Sequence, residues 1–206
     1  MKVLKSDNII LLIDLEATCW GDKKFKEESE IIEIGGAILE INSDKKETSI
    51  SSFFKFVKPV RHPILSDYCL NLTSISQENV DMAQTFPQAL QDFVYAAQGR
   101  IEGKEIGQIV FGSWGDYDHS QLNKDCAFHG VKYPFGPHWN VKKAYSAYRG
   151  VKKGFSLSKA VEQLELKFEG KNHRGIDDAR MVAIIVATIY KKLENSEIIK
   201  ICEGKK

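Results

Sequence analysis

Asp14 and Glu16 stand at the C-terminal end of Ile9-Ile10-Leu11-Leu12-Ile13, five consecutive aliphatic residues of the kind that form a strand buried on both faces. Side chains at i and i+2 of a strand point to the same face, so two negative charges are held together beside apolar packing. At about 4 Å two unit charges repel by roughly 1 kcal/mol in bulk water and by about 4 kcal/mol near a protein surface. Either one carboxyl pKa rises or a cation sits between the pair. A divalent-metal site at a strand end meets this condition. So does an ordinary strand end that runs out into a polar loop, and only partners elsewhere in the chain can decide.

Two later stretches offer such partners. Gln108-Ile109-Val110-Phe111 reads as a short fourth strand, and the loop after it, Gly112-Ser113-Trp114-Gly115-Asp116-Tyr117-Asp118, again delivers carboxylates at a strand's C-terminal end. Asn172-His173-Arg174-Gly175-Ile176-Asp177-Asp178 sets a histidine just ahead of a helix and two aspartates in its first turn.

The remaining pattern supplies the elements that would hold these residues. Cys19 to Ser29 has no periodicity and reads as an exposed loop, whereas Glu30 to Ile41 is apolar and β-branched and ends in the turn residues Asn42-Ser43-Asp44-Lys45. Ser49 to Val57, with Phe53, Phe54 and Phe56, is a third strand that makes a hairpin with the second, so at least one neighbour of the first strand is expected to be antiparallel. Leu70 to Val80 suits one brief helix. Pro87 sits in a first turn ahead of the core-facing stripe Leu90, Phe93, Val94 and Ala97. Helices follow through Leu122 and Cys126, after the capping residue Ser156, and from Asp177 to Leu193, where Val182, Ile185, Val186 and Ile189 share a face. This order predicts an α/β domain on a mixed sheet, one domain over residues 1–206 with its core at about 8–193 and a frayed tail at Glu203 to Lys206.

Composition narrows the class. With 29 Lys plus Arg against 28 Asp plus Glu, the net charge of +1 provides no whole-protein field for a polyanion, and any nucleic-acid grip must be local. Cys19, Cys69, Cys126 and Cys202 lack C-x-x-C spacing, which argues against zinc and against a disulfide framework and fits a reducing cytoplasm. No stretch approaches the roughly 20 apolar residues of a membrane span, and the first apolar run is cut by Asp14, so a soluble, unprocessed protein without a membrane partner is expected.

Asp-x-Glu closing the first strand, Asp where a strand gives way to a helix, and His-x4-Asp opening a late helix occur here in that order. In this the chain resembles the DEDDh exonucleases of the ribonuclease H-like fold, and among them the histone-mRNA and small-RNA three-prime exonuclease group. The similarity runs from Asn8 to about Leu193 and includes Asp14-Leu15-Glu16-Ala17-Thr18-Cys19, Glu30-Ile31-Ile32-Glu33, Leu65-Ser66-Asp67-Tyr68-Cys69, Leu72-Thr73-Ser74-Ile75, Thr85-Phe86-Pro87-Gln88 and His173 to Asp178. The resemblance implies a ribonuclease H-like mixed five-stranded sheet flanked by helices. It also implies 3'-to-5' hydrolysis of phosphodiester bonds at single-stranded ends, of RNA rather than DNA, releasing nucleoside 5'-monophosphates. Two divalent cations, Mg2+ or Mn2+, would be held about 3.5 to 4 Å apart by carboxylates, the hard oxygen ligands these ions favour.

Carried onto this sequence, the resemblance makes Asp14 the bridge between both ions, gives Glu16 and Asp178 to the site of the attacking water, and gives Asp118 to the second ion. His173 would take the water's proton, which a histidine can accept near neutral pH. Asp116 is the rival to Asp118, but the aromatic-Asp pattern before a helix falls on Tyr117-Asp118. Asp177 is the rival to Asp178, but it faces about 100° away around a helix. Ala17 and Thr18 match the positions that cover the terminal 3'-hydroxyl. Tyr117 and Trp114 are candidates to stack on the terminal base, or are packing residues. Lys142, Lys143, Arg149, Lys152 and Lys153 track phosphates or form a solvated face; Glu33 is a neighbour of the metals or an ordinary polar strand position. His62, His119, His129 and His138 read as loop or packing residues. An exonuclease fold that binds without cutting and a DNA-degrading member are the rival functions, the first opposed by the presence of all five catalytic residue types. Only seven residues precede the first strand, where several members of the group carry an added binding module, so short single-stranded tails or a helper protein are the expected means of capture.

Overall fold

The computed structural model describes residues 8–22, 25–42, 47–101 and 103–192. Strands β1 (Asn8–Ala17), β2 (Ile31–Asn42), β3 (Glu47–Phe56), β4 (Val110–Ser113) and β5 (His138–Asn140) form one five-stranded sheet in the order β3-β2-β1-β4-β5. The β1–β2 and β2–β3 pairs are antiparallel, and β4 and β5 add in parallel on the other side of β1. The sheet is mixed, as the hairpin reading requires, and β1 lies at its centre.

Alternation along β1 decides what lies on each side. Leu11, Ile13 and Leu15 pack with Leu90, Phe93 and Ala97 of α3 (Phe86–Gln98) and with Leu122 and Cys126 of α4 (Tyr117–Phe128). Ile10 and Leu12 pack with Ala179, Val182, Ala183 and Val186 of α7 (Gly175–Lys192). Asp14 and Glu16 continue the second set, so they share the α7 side.

The N-terminus of α7 sits directly on the sheet backbone. A side chain at Gly35 would collide with the backbone of Gly175 and Ile176, and one at Gly175 would meet the Asp14 carbonyl oxygen. Glu33, fully buried on β2, completes the contact. Its carboxylate accepts the Gly175 N–H at 3.0 Å and the Arg174 guanidinium at 3.1 and 3.3 Å. One otherwise unpaired helix N-terminal donor is thereby satisfied by an anion, where the helix dipole favours one.

Four local readings change. The span 70–80 forms two helices, α1 (Asp67–Thr73) and α2 (Gln77–Asp81), because Ser74 takes a left-handed φ of 57° and Ser76 caps a new helix. The fourth strand begins two residues later, since Ile106–Gln108 is a turn of 3-10 helix. A helix unforeseen in the sequence, α5 (Val141–Tyr148), is capped by Asn140, whose side chain accepts the Lys143 N–H at 2.8 Å. The final helix starts at Gly175 rather than Asp177. α6 (Leu157–Gln163) follows Ser156 as expected, whereas Leu193 and the tail at Glu203 to Lys206 lie outside the described residues.

A Gly35→Ala substitution is predicted to destabilise the protein by about 3 kcal/mol or more, since the added methyl meets backbone that cannot yield locally. Gly99→Ala, at a compatible φ of −66° with only ordinary contacts around it, should be neutral or stabilising by up to about 1 kcal/mol. Urea denaturation of the two variants measures the contrast.

Candidate active site

β1 presents Asp14 opposite Gly35 and Glu16 opposite Glu33, and the register slips by one residue between Glu16 and Ala17. A bulge of this kind ends regular pairing and re-aims the chain beside a site. Asp118 belongs to the first turn of α4 and not to the preceding loop. It is buried, and its Oδ1 accepts the Leu15 N–H at 3.1 Å, so α4 is tied to β1 between the two strand carboxylates. Asp178, in the first turn of α7, accepts the His173 N–H on Oδ2 at 3.0 Å. Oxygens of Glu16 and Asp178 and a ring nitrogen of His173 lie within 4.8 Å of one another. His173 is exposed and takes a φ of 60°, a left-handed turn that sets its ring at the rim of the buried carboxylates.

The rival aspartates point elsewhere. Asp116 is exposed and pairs with Lys143 at 3.2 Å, and Asp177 accepts the Lys171 N–H at 2.9 Å, holding the loop ahead of α7.

Burial and mutual repulsion govern the charges. Burial, then Asp118, Asp178 and Glu16, holds the Asp14 carboxyl well above its ordinary range. Burial foremost, then Asp178, Glu33 and Asp118, pushes Glu16 up to about 9. Asp178 is raised to about 7, mainly by burial and against the His173 N–H bond, and Asp118 to about 6, where burial outweighs the Leu15 N–H. Glu33 adds a fifth carboxylate to this neighbourhood, directly offset by Arg174. Crowded, desolvated carboxylates with free oxygens are the donor set that hard divalent cations take. The residues present therefore suit such ions: Glu16 and Asp178 already offer oxygens within ligand distance of each other and of His173, and Asp14 and Asp118 would be the further oxygen donors.

Beside the carboxylates opens a cleft of about 540 Å3, lined by Thr18, Cys19, Trp20, Ser29, Tyr117 and Gln121 among others. Tyr117, about half exposed, stands on its wall. Trp114 does not reach it: the indole packs on Tyr145 with ring centres 5.7 Å apart and donates Nε1–H to the Phe155 carbonyl at 3.1 Å, which makes it a packing residue. The Thr18 hydroxyl is taken by the Glu30 N–H at 2.9 Å, and the Ala17 carbonyl faces the Cys69 thiol at 3.8 Å, so both residues are fixed from behind. His119 stacks on His138 and His129 on Phe86, in packing roles, although His138 lies in β5 rather than a loop. His62 bonds Glu28 at 2.8 Å.

Sequence reasoning missed the network that holds the cleft's floor. Gln121 donates to the Ser29 carbonyl at 2.8 Å and to Asp125 at 3.0 Å, and Asp125 accepts the Ile31 N–H at 2.8 Å. Glu30 accepts the backbone N–H groups of Val60 and Arg61 at 3.0 and 2.7 Å. The available signal was position: Gln121 and Asp125 stand at i and i+4 beside the apolar Leu122 and Cys126, on the face that must be buried.

With this geometry in view, the comparisons are specific. The exonuclease model of the RNase T family matches residues 11–186. Human 3'-5' exoribonuclease 1 is 33% identical over 192 residues, covering 88% of this chain and 52% of its own length; human ERI1 exoribonuclease 2 is 30% identical over 210 residues, covering 93% and 29%. This chain thus spans about half, or less, of the length of these curated relatives. The crystallographic nuclease domain of 3'hExo, a DEDDh family member bound to rAMP, superposes with a TM-score of 0.77 at 29% identity, over 90% of this chain and 93% of that one. On the family match, these relatives and the carboxylate arrangement, the chain belongs to the RNase T exonuclease family, in its DEDDh branch on the ribonuclease H-like fold.

Proposed function

We propose that this chain is a 3'-to-5' exonuclease that uses two divalent cations, Mg2+ or Mn2+, to hydrolyse the terminal phosphodiester of single-stranded RNA and release nucleoside 5'-monophosphates. The observation that carries this reading is that Glu16 of β1 and Asp178 of α7 lie within ligand distance of the exposed His173, with Asp14 and Asp118 close enough to repel them electrostatically. Relatives named as 3'-5' exoribonucleases and a neighbour bound to rAMP favour RNA as substrate, and another similar structure is described as recognising the histone mRNA stem-loop. The free thiols of Cys19, Cys69 and Cys126 agree with a reducing cytoplasm, and no helix among the described residues is long and apolar enough to cross a membrane.

Asp14, Glu16, Asp118 and Asp178 would hold the cations, which when bound would supply Lewis-acid activation of water and neutralise charge on the phosphate. His173 is placed to take a proton from a water lying against the Glu16 and Asp178 oxygens, close to both in the fold. The backbone of Ala17 and Thr18, fixed by Glu30 and Cys69, closes on the terminal 3'-hydroxyl. Tyr117 stacks on the terminal base from the cleft wall. Capture of the strand, in this reading, is by short single-stranded ends or with a helper protein.

A 5'-labelled single-stranded RNA should shorten from its 3' end with Mg2+ or Mn2+ and remain intact with EDTA. Asp14→Asn and His173→Ala should each lower the rate by about 100-fold or more without loss of fold. Faster cleavage of the matching DNA would move the substrate to DNA, and no cleavage of either would overturn the enzyme reading.

The carboxyl shifts also give a pH dependence. Folded-state values of about 9, 7 and 6 for Glu16, Asp178 and Asp118 lie above those of the unfolded chain, so the metal-free fold binds protons more tightly than the unfolded state does. This contribution is fully present below the ordinary carboxylate range and is lost as pH rises through 6 to 9. Melting in EDTA should therefore fall between pH 5.5 and 8.5, and added Mn2+ should raise the Tm more at pH 8.5 than at pH 5.5.

A further inference from the structure

On the far side of the turn that carries Asp118 lies a second groove, about 510 Å3, unused by the site described above. Its lining includes Asp116 and Asn140 before α5, Lys142, Lys143 and Ser146 on α5, and Lys152 on the segment that follows. Lys142 is half-buried, and its aliphatic stem runs beside Gly154, where an added side chain would meet it. Among the described residues neither Lys142 nor Lys152 is ion-paired, and Lys143 is paired only with Asp116, where both side chains are more than half exposed. An exposed pair of this kind is worth little, so Lys143 can exchange Asp116 for another anion at small cost. Three lysines thus face one groove containing a single carboxylate, in a chain whose net charge of +1 is otherwise nearly balanced.

Position gives the groove its meaning. Asp116 lines it, Tyr117 lines the cleft beside the carboxylates, and Asp118 is one of those carboxylates. Adjacent Cα atoms are 3.8 Å apart, so groove, cleft and carboxylate group meet within about 8 Å of backbone. A strand whose last nucleotide fills the cleft and whose backbone leaves past this turn would lay its preceding phosphates along the groove. We propose that the groove formed by Lys142, Lys143 and Lys152 carries the phosphodiester backbone on the 5' side of the nucleotide being removed. This rests on the exonuclease reading and adds to it a path for the uncleaved strand. The partner is a polyanion of regularly spaced phosphates, read without regard to base, with the salt dependence such contacts bring.

The test is the triple variant Lys142→Gln/Lys143→Gln/Lys152→Gln against three substrates: the 4-nitrophenyl ester of thymidine 5'-monophosphate, which has no preceding strand, and oligouridylates of 3 and 12 nucleotides. For the 12-mer, KM should rise 10-fold or more with kcat nearly unchanged, and the slope of log(kcat/KM) against log salt should flatten by about 2, from about 0.7 per lost single-strand phosphate contact. Ester hydrolysis should hold, and the advantage of the 12-mer over the 3-mer should shrink. Lys55→Gln/Lys58→Gln, by β3 at the other edge of the sheet, should change none of these. Wild-type KM and salt slope for the 12-mer in the triple variant would overturn the groove. Anisotropy of a labelled 12-mer reads it independently of turnover: binding should weaken 10-fold or more in the variant, and equal binding, or displacement by polyglutamate as effective as by unlabelled 12-mer, would overturn it. If the wild-type protein hydrolyses neither ester nor RNA, the exonuclease reading falls, while the anisotropy comparison still decides the groove.

Discussion

Helix α7 brings Asp178 to Asp14 and Glu16 only because two backbones touch. Gly35 on β2 and Gly175 at the helix start leave no side chain between them, and the contact is locked by Glu33, which accepts both the Gly175 N–H and the Arg174 guanidinium. Remove this approach and the carboxylates of the strand and the helix separate by at least the thickness of a side chain. The same first turn fixes His173, whose N–H bonds Asp178. The placement of Asp178 and His173 against the β1 carboxylates therefore derives from one packing contact, distant from solvent and built mostly of backbone.

That contact concentrates charge. Glu33 faces Glu16 across the β1–β2 pair, an arrangement of like charges that is unfavourable between strands. Arg174 offsets Glu33, and burial, joined by mutual repulsion at Asp14, Glu16 and Asp178, is why the other four carboxyls hold their protons so tightly. Stability given up here would be recovered on binding divalent cations in the proposed mechanism, and catalysis by such ions needs little else from a protein than rigid oxygen donors, a base and a positioned strand. The network behind Thr18, from Glu30 through Asp125 to Gln121, supplies that rigidity on the substrate side.

How much of this could be read from the chain depends on the range of each interaction. β1 and α7 were legible because long apolar runs with one period reveal themselves locally. Asp14, Glu16, Asp118, His173 and Asp178 were legible as an ordered pattern, although only the fold shows that Asp116 turns away to Lys143. α5 was missed although Val141, Ala144 and Tyr145 stand at i, i+3 and i+4, because its eight residues repeat that stripe over barely two turns. The two helices between 67 and 81 were hidden because a single left-handed serine divides them. Glu33 was ambiguous for a different reason: the residue that gives it a role, Arg174, is 141 positions away. Trp114 shows the converse, an aromatic beside the catalytic turn whose partners, Tyr145 and Phe155, lie in a later part of the chain.

The central claim, that these four carboxylates form a paired cation site, is tested most directly by anomalous diffraction from crystals grown with Mn2+ and a nucleoside 5'-monophosphate. The account predicts two Mn2+ peaks about 3.5 to 4 Å apart, with Asp14 touching both, Glu16 and Asp178 on one and Asp118 on the other. Well-ordered crystals at saturating Mn2+ with no peak among these side chains would contradict it.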